Sequence, residues 1–350
     1  MRDFKSIVRP NILVLEQLRQ ELPKEDRYPV RVHLDANENP FNAPFNRYPQ
    51  AEAKELKEAI GQMKSLWPHC IGLANGTDES VNLLFRTFCN PCEDNVVAIE
   101  PTTRRYREFS LLYSVGYRRH LLNSDFQFSA EEVLAKCDEQ TKLIFLCSPN
   151  DPTGNLLDRH EIELLCKHFN GIVVVDESYQ EFSNSTSLVR SISTYNNLVV
   201  LSTLSNAFAS ADLRVSIVCA VPEIIRYLQC IQQPFTISSW AQREALKILR
   251  RRFDVDKWTN QLLEERRKVI EAVRLLPCCE AVYPSNANFF MAKFTNGNEV
   301  YRYLRRNGIA VFNCSHLSNC KDCLRISIGL ANENNALIGA LRQMQQKKPD

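Results

Sequence analysis

The sequence predicts an α/β fold, a large and mainly parallel sheet domain with a smaller α+β domain attached. Three observations carry that expectation. At 350 residues the chain exceeds the size at which single cores usually stop growing. Between about residues 70 and 220, short apolar and β-branched runs alternate with amphipathic stretches, as in strands buried on both faces beneath helices. After residue 222 the character changes to charged helices followed by short strand-like pieces.

Taken in order, the helical pattern DESVNLLFRTFC precedes the strand-like run NVVAIE (95–100). TKLIFLCS (141–148) leads into the helical DRHEIELLCKHF, and GIVVVDE (171–177), NLVVLST (197–203) and RVSIVCAV (214–221) follow as further strands. KWTNQLLEERRKVIEAVRLL is a charged helix, and NFFMAKF (288–294) and CLRISIGL (323–330) are the strands of the second unit. The expected division is an N-terminal arm (1–38) associated with the small domain, a large domain (39–250) and a small domain (251–350). QQKKPD reads as a frayed polar tail.

Composition narrows the functional classes. The chain is 44% apolar and 24% charged, as ordinary globular proteins are. Its 43 basic and 41 acidic residues leave no electrostatic footprint for nucleic acid. No apolar run approaches membrane-spanning length, and the start MRDFKSIVRPNILVLEQLRQ lacks a signal-peptide core, so the cytoplasm is expected and a membrane partner is not. The thirteen cysteines are scattered, with Cys147 and Cys219 inside apolar runs, which suits a reducing compartment. CSHLSNCKDC gathers Cys314, His316, Cys320 and Cys323, all zinc-ligand types, but ligand types alone leave buried thiols in a turn as the simpler reading. No metal is expected.

In mainly parallel sheets ligands gather at the carboxyl ends of strands, which points to four loops. VVVDESYQEF puts Asp176 just past a strand, where a carboxylate can keep a ring nitrogen protonated or simply cap a helix. ANGTDES places Gly76, Thr77 and Asp78 at a helix start, which suits a phosphate or, again, a cap alone. STLSNAFASADLR offers hydroxyls at Thr203 and Ser205 and a guanidinium at Arg214, a sound phosphate cradle. SPNDPTGN is a turn by composition.

These motifs, with LDANENPFNAPFNRYP (34–49), ANFFMAKF and CLRISIGLANENNALIGAL, occur in one order along nearly the whole chain. In that order they resemble the fold-type I, pyridoxal-phosphate-dependent aminotransferases, and among these the histidinol-phosphate aminotransferases. The resemblance implies that Asp176 meets the pyridine nitrogen and Tyr179 the phenolic oxygen of the cofactor. It implies a phosphate cup of Gly76, Thr77, Asp78, Thr203, Ser205 and Arg214. Tyr48 would add a phosphate contact from a neighbouring copy, hence a homodimer with shared sites. Arg325 and Asn37 would hold the substrate, Arg325 through its carboxylate.

The departures lie at the chemistry. The position of the Schiff-base lysine is Asn206, that of the ring-stacking aromatic is Thr103, and that of the asparagine at the phenolic oxygen is Asp151. Phe312 and Cys314 stand where the family carries phosphate-binding arginines, Ala209 and Asp212 replace usual glycines, and Arg104 and Arg105 replace small or apolar residues. An amide cannot condense with an aldehyde, and loss of a positioned proton-transfer group costs roughly 10²–10⁴ in rate. Asp151 sets a carboxylate beside a phenolate unless one is protonated, and Thr103 offers no aromatic face. An engineered Asn206 would leave the other site positions standard, so natural divergence is the better account. Arg104, Arg105 and Asp212 read as solvated surface.

Ordinary transamination is therefore not expected. Three functions follow: a non-catalytic paralogue kept as a binding, regulatory or partner subunit, a reassigned enzyme using noncovalently held pyridoxal or pyridoxamine phosphate or a different ligand altogether, or a residual aminotransferase rescued by another lysine. The retained polar residues favour a small anionic ligand. Lys142 and Lys167 lie in sheet-edge or helix contexts.

Overall fold

The computed structural model describes residues 4–20 and 31–346. Seven strands form the large sheet: β1 (Ile71–Asn75), β2 (Asn95–Glu100), β3 (Gly116–Leu121), β4 (Thr141–Cys147), β5 (Ile172–Asp176), β6 (Leu198–Thr203) and β7 (Val215–Cys219). Their spatial order is β1-β7-β6-β5-β4-β2-β3. Neighbours from β6 to β3 pair in parallel, while β7 runs antiparallel to both β6 and β1. The reversal has a local cause: Thr203 connects to Val215 through one short 3₁₀ turn (Ala211–Leu213), without the crossover helix that a parallel return needs.

The continuous apolar runs are explained by two cores. Along β5, Val173 and Val175 face one core while Ile172 and Val174 face the other, because successive strand side chains point to opposite faces. Every residue of β5 and β6 is buried, and each large aliphatic so placed contributes about 1.5–3 kcal/mol. The helix Thr77–Phe88 buries Val81, Leu84, Phe85 and Phe88, the i, i+3, i+4, i+7 stripe that covers one sheet face. Asp158 caps Arg159–His168 by accepting from the His160 amide at 2.8 Å.

The smaller unit is a four-stranded antiparallel sheet, in the order β10-β11-β9-β8. It comprises β8 (Cys279–Val282), β9 (Phe289–Phe294), β10 (Phe312–Asn313) and β11 (Cys323–Ser327), with its own core around Phe290, Phe294 and Leu324. The 23-residue helix Arg252–Arg274 enters both cores, through Val255 at one end and Val269 and Val273 at the other.

The N-terminal arm differs from the expectation that it joins the small domain. Phe4, Val8 and Ile12 are buried in a core of the large sheet, Arg9 donates to the Arg86 carbonyl at 3.0 Å, and Glu16 pairs with Arg226. Their apolar side chains cover the helix Pro222–Ile231 rather than the small sheet. Residues 21–30 of that arm lie outside the described residues. Of the tail, Gln345 and Gln346 belong to the helix Ala331–Gln346, and 347–350 lie outside the described residues. Strands β1, β3, β8 and β10 are additional to those read from sequence. Among the described residues no helix is long and apolar enough to cross a membrane.

Candidate functional site

The parallel strands β2, β4, β5 and β6 end at Glu100, Cys147, Asp176 and Thr203, and the loops that follow enclose a cavity of about 250 Å³. Thr77, Asp78, Thr103, Asp151, Asp176, Tyr179, Thr203, Ser205, Asn206 and Arg214 all line it. From Thr77 to Arg214 these residues span more than a hundred positions, so the parallel topology is what gathers them.

At one end the helix Thr77–Phe88 starts at the wall, with free amide groups and a positive dipole end. Gly76 precedes it at φ 82°, ψ 164°. The Arg214 guanidinium lies so close that a Cβ on Gly76 would sit 2.1 Å from Nη2. Thr203 Oγ1 accepts from the Ser205 amide at 3.1 Å and lies 2.9 Å from Ser205 Oγ. Hydroxyls, helix amides and an arginine that makes no ion pair among the described residues form a donor set suited to a phosphate monoester.

Asp176 occupies the floor, 6% exposed. Burial raises its carboxyl to about 6, partly opposed by hydrogen bonds from the Ser178 hydroxyl and amide, the latter at 2.9 Å. At neutral pH it is ionised, as a partner for a protonated ring nitrogen must be. Its neighbour Glu177 is also buried and raised, to about 7, against donation from Leu188 N at 2.7 Å and from the Ser187 hydroxyl.

Asn206 half-faces the cavity, and its side-chain amide donates to the Ser178 carbonyl at 2.8 Å. Among the described residues, no lysine lines the cavity. Lys142 lies at the start of β4, where its ammonium is 3.6 Å from Asp94.

Asp151 does more than approach the phenolic position. One carboxylate oxygen pairs with Arg325 Nη1, and the other accepts from Tyr179 at 3.4 Å. Burial first, and then Asp151, pushes the Tyr179 hydroxyl upward, so it stays protonated and able to donate to Asp151. Arg325 is thus engaged within the chain rather than left open for a carboxylate. Burial works against its charge, yet Asp151 outweighs this and holds the guanidinium protonated. Sheet register explains its surroundings: Phe312 is directly opposite Arg325 across β10 and β11, and Phe289 lies diagonally on β9. Their ring centroids are 4.6 and 5.3 Å from the guanidinium carbon. Cys314 is fully buried and its thiol is pushed up to about 12 by burial, so it cannot contact a ligand in the cavity.

Arg105 is exposed, in line with the surface reading, and also meets the cavity. It lines the cavity and reaches Asp78 at 3.2 Å and Glu108 at 2.9 Å, whereas Arg104 is exposed beside Glu108 and Asp212 is exposed. Tyr106 and Cys147 also line the cavity, and neither was read as a site residue, Cys147 being expected only as a buried thiol. Tyr106 stacks on Phe145 at 4.6 Å, and its place in EPTTRRY one turn beyond Thr103 was the available signal. Asn150 ties the two loops together. Its amide donates to Pro101 O at 2.9 Å and its oxygen accepts from Thr102 at 3.1 Å.

Two predicted residues lie elsewhere. Tyr48 is 58% exposed and stacks on Phe235 at 4.8 Å, and Asn37 is exposed at φ 53°. Neither lines the cavity of its own chain. Cys320 and Cys323 are core residues with Cys314, and among the described residues no group of three or more His, Cys, Asp or Glu could hold a metal ion.

Comparison with known proteins accords with this geometry. The chain is 42% identical over 345 residues to the histidinol-phosphate aminotransferases of Bacteroides fragilis and Bacteroides thetaiotaomicron, covering 99% of this chain and 100% of each relative. The crystal structure of the histidinol-phosphate aminotransferase from Clostridium acetobutylicum superposes with a TM-score of 0.80 at 21% identity, over 87% of this chain and 92% of that one. That from Sinorhizobium meliloti, in complex with pyridoxal-5'-phosphate, does so at 0.78 and 17% identity, over 96% and 88%. Residues 22–341 match the family described as aminotransferase class I and II. With the sheet order, the pocket at the strand ends and these relatives in agreement, the chain belongs to the class I and II aminotransferases.

Proposed function

We propose that this protein keeps the cofactor pocket of an aminotransferase, holds pyridoxal or pyridoxamine phosphate noncovalently, and has lost lysine-dependent transamination, leaving a ligand-binding role. The observation that carries the reading is that, among the described residues, no lysine stands on the cavity wall, with Asn206 bonded to the Ser178 carbonyl at the expected lysine position.

The donor set fits the cofactor at two of three points. Thr203, Ser205, Arg214 and the amides beginning Thr77–Phe88 suit its phosphate, and the close approach of Arg214 over Gly76 leaves no room for a side chain there. Asp176, ionised at neutral pH, suits the ring nitrogen. The third point, a covalent link, has no partner. When bound, a pyridine ring so protonated supplies an electron sink. No described residue on the wall offers an amine or imidazole to shuttle a proton beneath it: Asn206 is an amide, and the other lining side-chain nitrogens belong to the guanidiniums of Arg105 and Arg214. Thr103 supplies a methyl group where an aromatic face would stack. Phe312 and Cys314 leave a substrate phosphate without the arginines that histidinol phosphate would need. A second copy would add Tyr48 to the phosphate end, so a homodimer accompanies this reading, in the cytoplasm.

The test is borohydride reduction in the presence of pyridoxal phosphate, followed by peptide mass mapping, with calorimetry on pyridoxamine phosphate. We expect saturable binding at one site per chain and no reduced adduct on a pocket residue. An adduct on a lysine that maps to the cavity, or turnover of histidinol phosphate at rates usual for a transaminase, would overturn the proposal.

A further inference from the structure

The charges around the cavity are not balanced evenly, and the imbalance names a ligand class. Three carboxylates line it (Asp78, Asp151 and Asp176) against two guanidiniums (Arg105 and Arg214). Arg105 is already engaged by Asp78 and Glu108, and Arg325, behind Asp151, is engaged by that residue. Only Arg214, at the phosphate end, makes no ion pair among the described residues. A ligand therefore meets one open anion site, and at the opposite end a carboxylate whose arginine is taken.

We propose that Asp151 acts as a built-in carboxylate that fills Arg325, so that the pocket selects phosphomonoesters of a nitrogen heterocycle lacking a carboxylate and rejects amino-acid or oxo-acid conjugates. The Asp151–Arg325 pair is held from several sides. Phe312 and Phe289 flank the guanidinium, Tyr179 donates to the second Asp151 oxygen, and Tyr179 is itself fixed edge-on to Phe289 at 5.0 Å. Arg325 Nε is buried without an acceptor, so the guanidinium has no spare partner if Asp151 is lost. An entering carboxylate must either displace Asp151, leaving it buried beside a second anion, or sit unpaired; both are costly. Asp151 is thus a specificity-determining residue, and this inference rests on the preceding proposal for its probes.

Two stable conjugates of pyridoxamine phosphate decide it, one N-alkylated with an isopropyl group and one with the alanine skeleton, in which a carboxylate replaces one methyl. In calorimetry the wild-type protein should bind the isopropyl conjugate at least about tenfold more tightly, and in Asp151→Asn the preference should reverse. Equal or tighter binding of the alanine conjugate to wild type overturns the inference while leaving the cofactor reading intact. Binding of neither conjugate overturns the cofactor reading, and a second measurement then tests Asp151 alone. Phenylglyoxal labelling of Arg325, read by peptide mass, should be blocked by glutarate in Asp151→Asn but not in wild type. Glutarate protection of wild-type Arg325 refutes the role given to Asp151.

Discussion

Gly76 holds φ 82° and ψ 164° immediately before the helix Thr77–Phe88, with the Arg214 guanidinium against its α-carbon. That backbone region is open essentially to glycine, and another residue there costs about 1–3 kcal/mol. A methyl group at 76 would also stand 2.1 Å from Arg214 Nη2 and 2.6 Å from Cζ, so the guanidinium must leave. A hydrogen bond to a charged group contributes about 1.5–3 kcal/mol, which corresponds to roughly 10- to 150-fold in affinity. Gly76→Ala should therefore lose about 1–3 kcal/mol of unfolding free energy in urea and bind pyridoxamine phosphate roughly 10- to 150-fold more weakly in calorimetry. Arg214→Ala separates the two effects. It should weaken binding over the same range yet stay within about 0.5 kcal/mol of wild-type stability, because Arg214 is exposed and makes no ion pair among the described residues. Wild-type affinity in Gly76→Ala would refute the placement of the phosphate end, and wild-type stability would refute the backbone argument.

Asn206→Lys should acquire a borohydride-reducible adduct with pyridoxal phosphate at position 206, while glutamate-dependent turnover should appear only when Asp151→Asn is added. Turnover in the single variant would count against the filled Arg325. Burial raises Asp176 from 3.8 to about 6 and Glu177 from 4.5 to about 7, so both bind protons more readily in the folded chain. Their contribution to stability is full below about pH 4 and is lost as pH rises through 6 to 7. Relative to wild type, Glu177→Gln should flatten the fall in urea midpoint between pH 4.5 and 7; an unchanged slope would contradict the raised Glu177. Sedimentation should show a dimer, and Tyr48→Ala should weaken pyridoxamine phosphate binding while leaving the sedimentation profile that of a dimer. A Tyr48 variant with unaltered affinity would remove the shared site.

Much of the architecture was legible because two-sided burial leaves a plain mark: NVVAIE reads as β2 residue for residue, and the other long apolar runs fall on β4 to β7. Strands β1, β3, β8 and β10 were not. GYRRHL on β3 is an edge strand with mostly polar side chains, and β10 is two residues long. At the site, residue types and loop order pointed to Thr77, Asp78, Asp176, Tyr179, Thr203, Ser205 and Arg214, since carboxyl ends of parallel strands converge, whereas Thr103, Asp151 and the role of Asn206 came from the family resemblance. What could not be read was pairing at long separation. Asp151 and Arg325 are 174 residues apart, and their contact depends on the small sheet's register and on its placement over the SPNDPTGN loop. That Arg105, exposed as expected, also borders the cavity could not be read, because a charged residue after a turn looks the same in sequence in either place.

The helix Arg252–Arg274 has one further consequence. At 1.5 Å per residue its 23 residues form a rod of about 34 Å that is structural material for two cores at once. Melting its first turns strips Val255 from the large sheet, and melting its last strips Val269 and Val273 from the small one. Neither unit can therefore come apart while leaving its neighbour's interior whole. Cooperativity that is usually confined to one core should extend along this rod, so that truncating Val255 or Val273 lowers one shared unfolding midpoint.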